Sequence, residues 1–428
     1  MAAAITLACI TLLALILTPS KYRTLINPSI AFAGLWTMIV MLAGFRWLSM
    51  YPTSDEAYLI IVAGVASFVV GGFIASIFKH VNGFSYRPLY NGEVVIRYKL
   101  LMILDIICIL YYVPSLIKSL SLMFNGVSLN DVRSLIQDSE YSSGLKNFIP
   151  NYVILPISTA LETIAVVDFW KGNRNRIFIS LTGVLVILRI IGDGGRTPLF
   201  NVVLYFVVLF SMIVKDKSES TRNRKKDRRI FIAIFTGGVL LLAVFTLMRA
   251  GKTAYRKLYF YFAMSPVLLT WWTNKINALG YVGHGAVSCN GILYFVDYII
   301  KNMTGSEYEP FIINAYNLVA ATDSTWIKIA PTTTANAYVS CFTFFYADGG
   351  WVGVILLSFL YGFILNRSFY NIEKFKGNAC QIACYLMLFQ GMFFSFIRFP
   401  FAKAYYIIAL ILVRFVAFKR SNDYKMKK

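Results

Sequence analysis

The sequence predicts an all-α polytopic membrane protein, and three observations carry that expectation. Hydrophobic residues make up 58% of the 428 residues and charged residues only 14%, against about 45–50% and about 25% in a soluble domain. The apolar residues come in continuous runs of span length. Those runs do not alternate with polar residues, so they read as helices, which satisfy their own backbone in lipid.

Eleven runs qualify: 2–18, 29–49, 57–78, 98–118, 151–170, 177–192, 197–214, 230–248, 351–366, 379–397 and 404–418. The total lies between 10 and 13; the shorter apolar pieces, Leu258–Trp272 and Ile292–Ile300, suit re-entrant or interfacial segments and can span only as a pair. Residues Ala2 to Thr18 lack a basic leader and read as a retained span. The whole chain, 1–428, reads as a single integral membrane domain.

Lys and Arg set the orientation. The segment 215–229, KDKSESTRNRKKDRR, must be cytoplasmic. Alternation from it makes 19–28, 79–97, 171–176, 367–378 and 419–428 cytoplasmic too, and each is basic. These segments hold more than half of the 41 Lys and Arg but under a third of the 20 acids, so they account for most of the +21 net charge. The N-terminus is then outside and the C-terminus cytoplasmic. The charge is a topology signal, and nucleic-acid binding is not needed to explain it.

The six Cys show no CxxC spacing and no paired His, which leaves no visible metal or redox motif. Cys289 and Cys341 could pair if their stretch faces an oxidising compartment. No internal repeat is evident, which disfavours an inverted-repeat transporter.

The external loops carry the candidate chemistry. Segment 119–150 has spaced apolar residues suited to a short interfacial helix. The large external segment 249–350 holds most of the reactive side chains. Arg196, in GDGGRTP at the start of a span, suits phosphate, because glycines permit close approach and the guanidinium binds two oxygens. Against that stands an interfacial Arg that only marks the span end. Arg249, Lys252 and Arg256 run against the orientation bias and share one face of a continued helix, so they could hold a diphosphate. Attraction to anionic headgroups is the plainer reading.

His284, between two glycines, could act as a base near neutral pH, although such a histidine is more often structural. Asp348, just before Trp351, is a base or sugar ligand on one reading and a helix cap on the other. Glu307, Glu309 and Asp323 have less context. Asp105, Glu162 and Arg189 lie inside spans, where charges are functional candidates or pair with one another. Tyr255, Tyr259, Tyr261, Trp271, Trp272, Tyr338 and Tyr346 suit a sugar platform as well as an interfacial belt.

The segment NAYVSCFTFFYADGGWVGVILLSFLYG resembles the late external-loop signature of Wzy-type oligosaccharide repeat-unit polymerases. There an Asn, a run of aromatics and an acid lead through Gly-Trp-Gly into a span. GDGGRTPLF is similar to that family's Gly-Arg entry into a middle span. The resemblance implies a bacterial inner-membrane polymerase of O-antigen, capsule or exopolysaccharide with a GT-C-like membrane glycosyltransferase architecture. Such an enzyme uses no metal or other cofactor. It moves a growing glycan from undecaprenyl diphosphate to an undecaprenyl-diphosphate-linked repeat unit. Membrane lipids, a chain-length regulator and a flippase would be its partners. Arg196, Arg249, Arg256 and Lys252 would then bind the diphosphate, Tyr259 and Tyr346 the sugar, and Asp348 or His284 would serve as base. An O-antigen ligase, a lipid-linked oligosaccharide flippase or transporter, and a plain scaffold are the competing readings.

Overall fold

The structure is a computed structural model that describes residues 1–78, 94–127, 148–171, 173–192, 195–213, 253–374 and 378–420, with isolated residues between 229 and 247. Arg249, Lys252, nearly all of the basic segment 215–229, and most of 230–248 and 119–150 lie outside the described residues. Every predicted span except 230–248 falls on a described helix.

In chain order the helices are α1 (Ala2–Leu17), α2 (Pro28–Phe45), α3 (Asp55–Ile77), α4 (Tyr98–Phe124), α5 (Leu155–Lys171), α6 (Arg176–Gly192) and α7 (Thr197–Ile213). After the basic segment come α8 (Ala254–Ala263), α9 (Ser265–Leu279), α10 (Asn290–Thr304), α11 (Pro310–Ser324), α12 (Ser340–Lys374), α13 (Ala379–Phe393) and α14 (Ala404–Ile411). Among the described residues, six helical stretches are long and apolar enough to cross a membrane: Pro28–Phe45, Asp55–Ile77, Tyr98–Phe124, Pro150–Trp170, Ser340–Ile372 and Ala379–Phe396. They suggest a multi-pass membrane protein. Ala2–Leu17, Thr197–Met212 and Ala404–Val416 are apolar but shorter.

The chain folds as two compact units. Unit 1 comprises Met1–Tyr86, Tyr255–Lys374 and Gly391–Ile407; unit 2 comprises Arg87–Ala254, Phe375–Gln390 and Ile408–Lys428.

Unit 1 is built on α3 crossing α12. Small residues bring the two backbones together, as in packed membrane helices. A Cβ on Gly71 would strike the Phe359 carbonyl, and one on Gly362 the Phe68 carbonyl. Gly64 gives its space to the Phe342 ring. Around the crossing, Phe32 stacks on Phe68 at 4.0 Å, and Trp36 packs on Phe342 and donates through Nε1 to Ser395. Local signals fix the helix starts. Asn27 caps α2 by accepting from the Ser29 and Ile30 amides, and Ser54 caps α3 by accepting from the Ala57 amide.

Two boundaries differ from the sequence expectation. α4 runs on to Phe124, beyond the predicted end at 118. α12 begins at Ser340, eleven residues before the predicted span 351–366, and absorbs the aromatic motif. It bends at Gly349–Gly350, where Gly350 takes φ 57 and ψ −137, a conformation open to glycine and not to other residues. Asp348 therefore lies at a bend inside a long helix and does not cap its first turn.

Unit 2 packs α4, α5, α6 and α7, with an antiparallel pair of short strands, β1 (Val94–Ile96) and β4 (Phe418–Arg420). Its interior holds an ion pair and several polar contacts. Glu162, fully buried, bonds to Arg189, which is almost as buried. Asp105 accepts from the Thr182 hydroxyl at 2.8 Å, Asp168 from the Tyr98 hydroxyl at 2.5 Å, and Asn201 from Gln390 at 3.3 Å. Glu162 and Arg189 pair with one another, whereas Asp105 meets a neutral hydroxyl.

Candidate functional site

The stretch 253–339 is mostly helical. α8 through α11 are short, and they are joined to α12 by a hairpin of β2 (Ile327–Ala330) and β3 (Thr333–Ala335). The loop after the hairpin is strained. Ala337 and Ser340 take φ 64 and 72, a left-handed backbone that non-glycine residues rarely adopt. The surroundings hold it there. The Ala337 amide donates to Thr322 O, the Asn336 amide side chain donates to Asp323 O, and the Val339 and Ser340 amides both donate to Ile397 O. Such strain persists only where the surrounding structure over-determines it.

What the strained loop brings together is a charge cluster. Asp323, at the end of α11, meets two cations from the 398–403 loop ahead of α14. Arg398 reaches Asp323 with one nitrogen at 2.7 Å and another at 3.0 Å, and Lys403 Nζ lies at 2.6 Å. About a quarter of each side chain is exposed. Burial alone would raise the Asp323 pKa, but the charges of Arg398 and Lys403 outweigh it and hold the carboxyl below its ordinary value. The stabilisation is therefore present above the ordinary carboxylate value of about 4 and is lost as pH falls through the depressed one. Lys403 is lowered as well, first by burial and then by Arg398, with Asp323 opposing. Two cations share one acid, so the cluster carries an excess positive charge.

Aromatic rings pack along the chain segments that meet there. Tyr338, next to Val339 in the strained loop, stacks on Tyr261 at 5.5 Å and packs on Phe396, which in turn packs on Phe262. Phe399 lies against Phe345 and Tyr361. Cationic groups can bind anions, and flat rings can pack on apolar faces.

The sequence-predicted residues occupy several places. Asp348 is buried, and its two carboxylate oxygens accept from the Val287 and Ser288 amides at 2.9 Å each. Gly283 and His284 donate through their amides to the carbonyls of Ala347 and Asp348. Asp348 thus anchors the loop GYVGHGAVSCNG on the bend of α12, and these bonds are those of a positioning residue. Burial of Tyr281 pushes its hydroxyl up to about 12, and the charge of Asp348 adds to the shift.

His284 is exposed, at φ 44, with its ring stacked on Phe311 at 6.2 Å. Phe311 lies in the first turn of α11 and Asp323 in its last, a separation of about 18 Å along the helix. Arg256 donates to the Thr332 and Thr333 hydroxyls and lies over the Phe260 ring, so it clasps the β2–β3 turn. Tyr259 braces the 46–49 turn by donating to Leu42 O and accepting from the Trp47 amide. Tyr346 donates to Asn277 and to Glu56, which lies in the first turn of α3. Arg196 stands at the start of α7 in unit 2, where the Phe200 amide donates to its carbonyl. Cys289 and Cys341 are free thiols.

The structure therefore joins Asp348 to the His284 loop through the main chain and gathers the Asp323 cluster. Sequence reasoning named Asp323 but missed Arg398 and Lys403. A signal was present: both are bases in a loop that alternation places outside. Among the described residues no group of His, Cys, Asp and Glu is arranged to hold a metal ion. No family model, curated protein or solved structure matches the chain.

Proposed function

We propose that the protein is a multi-pass membrane glycosyltransferase that polymerises a surface polysaccharide. It transfers a growing glycan from undecaprenyl diphosphate to the non-reducing end of an undecaprenyl-diphosphate-linked repeat unit. The Arg398–Asp323–Lys403 cluster beside stacked aromatics carries this reading. The eleven-span topology, with the N-terminus outside, puts the 398–403 loop and the 249–350 stretch on one side of the bacterial inner membrane. That side is the outer face, where lipid-linked glycans are presented. The GT-C-like layout is part of the same proposal.

The chemistry follows from the charge. An acceptor hydroxyl attacks the anomeric carbon, the bond from that carbon to the diphosphate oxygen breaks, and the hydroxyl proton passes to a base. The diphosphate leaves with added negative charge. Arg398 and Lys403, already held in place by Asp323, meet that charge without reorganising, which is the most effective form of electrostatic stabilisation. Tyr261 and Tyr338 offer ring faces to the sugar next to it.

Deletion of the gene followed by display of the surface-glycan ladder tests the reading. The expected result is loss of long chains with single repeat units retained. Polymer that accumulates without attachment to lipid A would identify a ligase instead, and an unchanged ladder would refute the polymerase.

A further inference from the structure

α10 is too short to span, at about 22 Å for its 15 residues against a hydrocarbon core of about 30 Å. Yet one side of it is apolar and exposed. Ile292, Val296, Ile299, Ile300 and Met303 are 39% to 81% exposed. At 100° per residue they fall within an arc of about 100°. The opposite side is engaged. Asp297 is buried and accepts from the Glu309 amide. Tyr294 stacks on Tyr316 at 3.8 Å and on Tyr308 at 5.6 Å, and Lys301 lies 3.9 Å over the Tyr308 ring.

The helix is pinned where an apolar helix begins. Gly291 lies so close to the backbone of Phe401 and Lys403 that a Cβ there would be 2.6 Å from either. Those residues lead directly into α14. At its other end α10 stops at Gly305, φ 72, and turns through the exposed polar residues Ser306 and Glu307. A stable protein partner covers about 20–30 residues a side. Five apolar side chains on one narrow stripe fit the acyl region of a monolayer better, as an in-plane amphipathic helix does.

We propose that α10 lies in the plane of the membrane surface, with Ile292, Val296, Ile299, Ile300 and Met303 immersed in the lipid acyl region. α11 rides on α10 through the tyrosine stack and carries Asp323 at its far end, so the depth of α10 sets the level of the Arg398–Lys403 pair against the headgroups. The placement stands on the membrane character of the chain and does not need the transferase reading.

Spin labels at V296C, I299C and M303C test it, with E307C as the water-side control. The full chain, with the exposed Cys9 and Cys289 replaced by Ser, is reconstituted in phosphatidylcholine–phosphatidylglycerol vesicles. Collision with oxygen relative to a water-soluble nickel chelate should be several-fold higher at 296, 299 and 303 than at 307. Equal chelate access at all four positions would overturn the proposal, and so would shielding of the three from both reagents, which would mean a protein partner. Met303, the most exposed of the five, provides the reading if an inner label perturbs the fold, as judged by the melting temperature.

Discussion

Glu162 and Asp323 both bind arginine, in settings that differ in two respects. In unit 2, Glu162 is fully buried and meets Arg189, so acid and base balance and water is excluded. In unit 1, Asp323 meets both Arg398 and Lys403, and all three side chains keep contact with solvent. A balanced buried pair has no charge left for a ligand. Its value lies in the penalty for breaking it. A partly open pair of cations on one acid has charge to spare, which is what the proposed anionic substrate requires. The contrast separates scaffold from site more clearly than the presence of charge inside a membrane protein does.

The contrast can be broken in graded steps. Arg189→Met, which strands Glu162, should cost about 3–5 kcal/mol, the usual penalty for half of a buried pair. Thermal unfolding in nanodiscs measures it, and a change near zero would remove the distinction. Asp348→Asn comes next. It weakens two charge-assisted bonds to the Val287 and Ser288 amides, which are worth about 1.5–3 kcal/mol each when made to an ion. Faster proteolysis in the 281–289 loop should accompany the lower melting temperature. If Asp348 were instead the base, the variant would lose activity with its stability and loop protection intact.

Arg398→Ala should cost less than about 1 kcal/mol of stability, as expected of a solvated pair, yet abolish long glycan chains. The smallest effect is a shift with pH. The Lys403 amine sheds its proton more readily than a free lysine, through burial and the neighbouring Arg398. Binding of a polyprenyl diphosphate should therefore weaken as pH rises, with that limb lying below the ordinary lysine value of about 10.4. Lys403→Arg should carry that loss to higher pH, because a guanidinium stays charged. An alkaline limb that does not move in this variant would clear Lys403 of the role.

Much of this was legible in the sequence, and the misses have physical causes. Apolar runs announce helices one at a time, and the predicted spans land on helices wherever the residues are described. The early start of α12 was hidden because NAYVSCFTFFYAD mixes aromatics with Asn, Ser, Thr and Asp, and tertiary packing against α3 makes it helical. The Asp323 cluster was hidden for another reason. Its cations lie 75 and 80 residues along the chain from the acid, and no local pattern links them. Arg256 and Tyr259 read in the sequence as substrate-binding candidates and Asp348 as a catalytic one. Their hydrogen bonds hold a turn, a loop and a bend, duties that a residue type cannot disclose.

Chain-length analysis of the glycan made by cells carrying Arg398→Ala together with Lys403→Ala tests the account most directly. With the protein at its normal level in the membrane, single repeat units should persist and polymer should vanish. A ladder of normal length from that double variant would contradict the assignment of this cluster as the seat of the reaction.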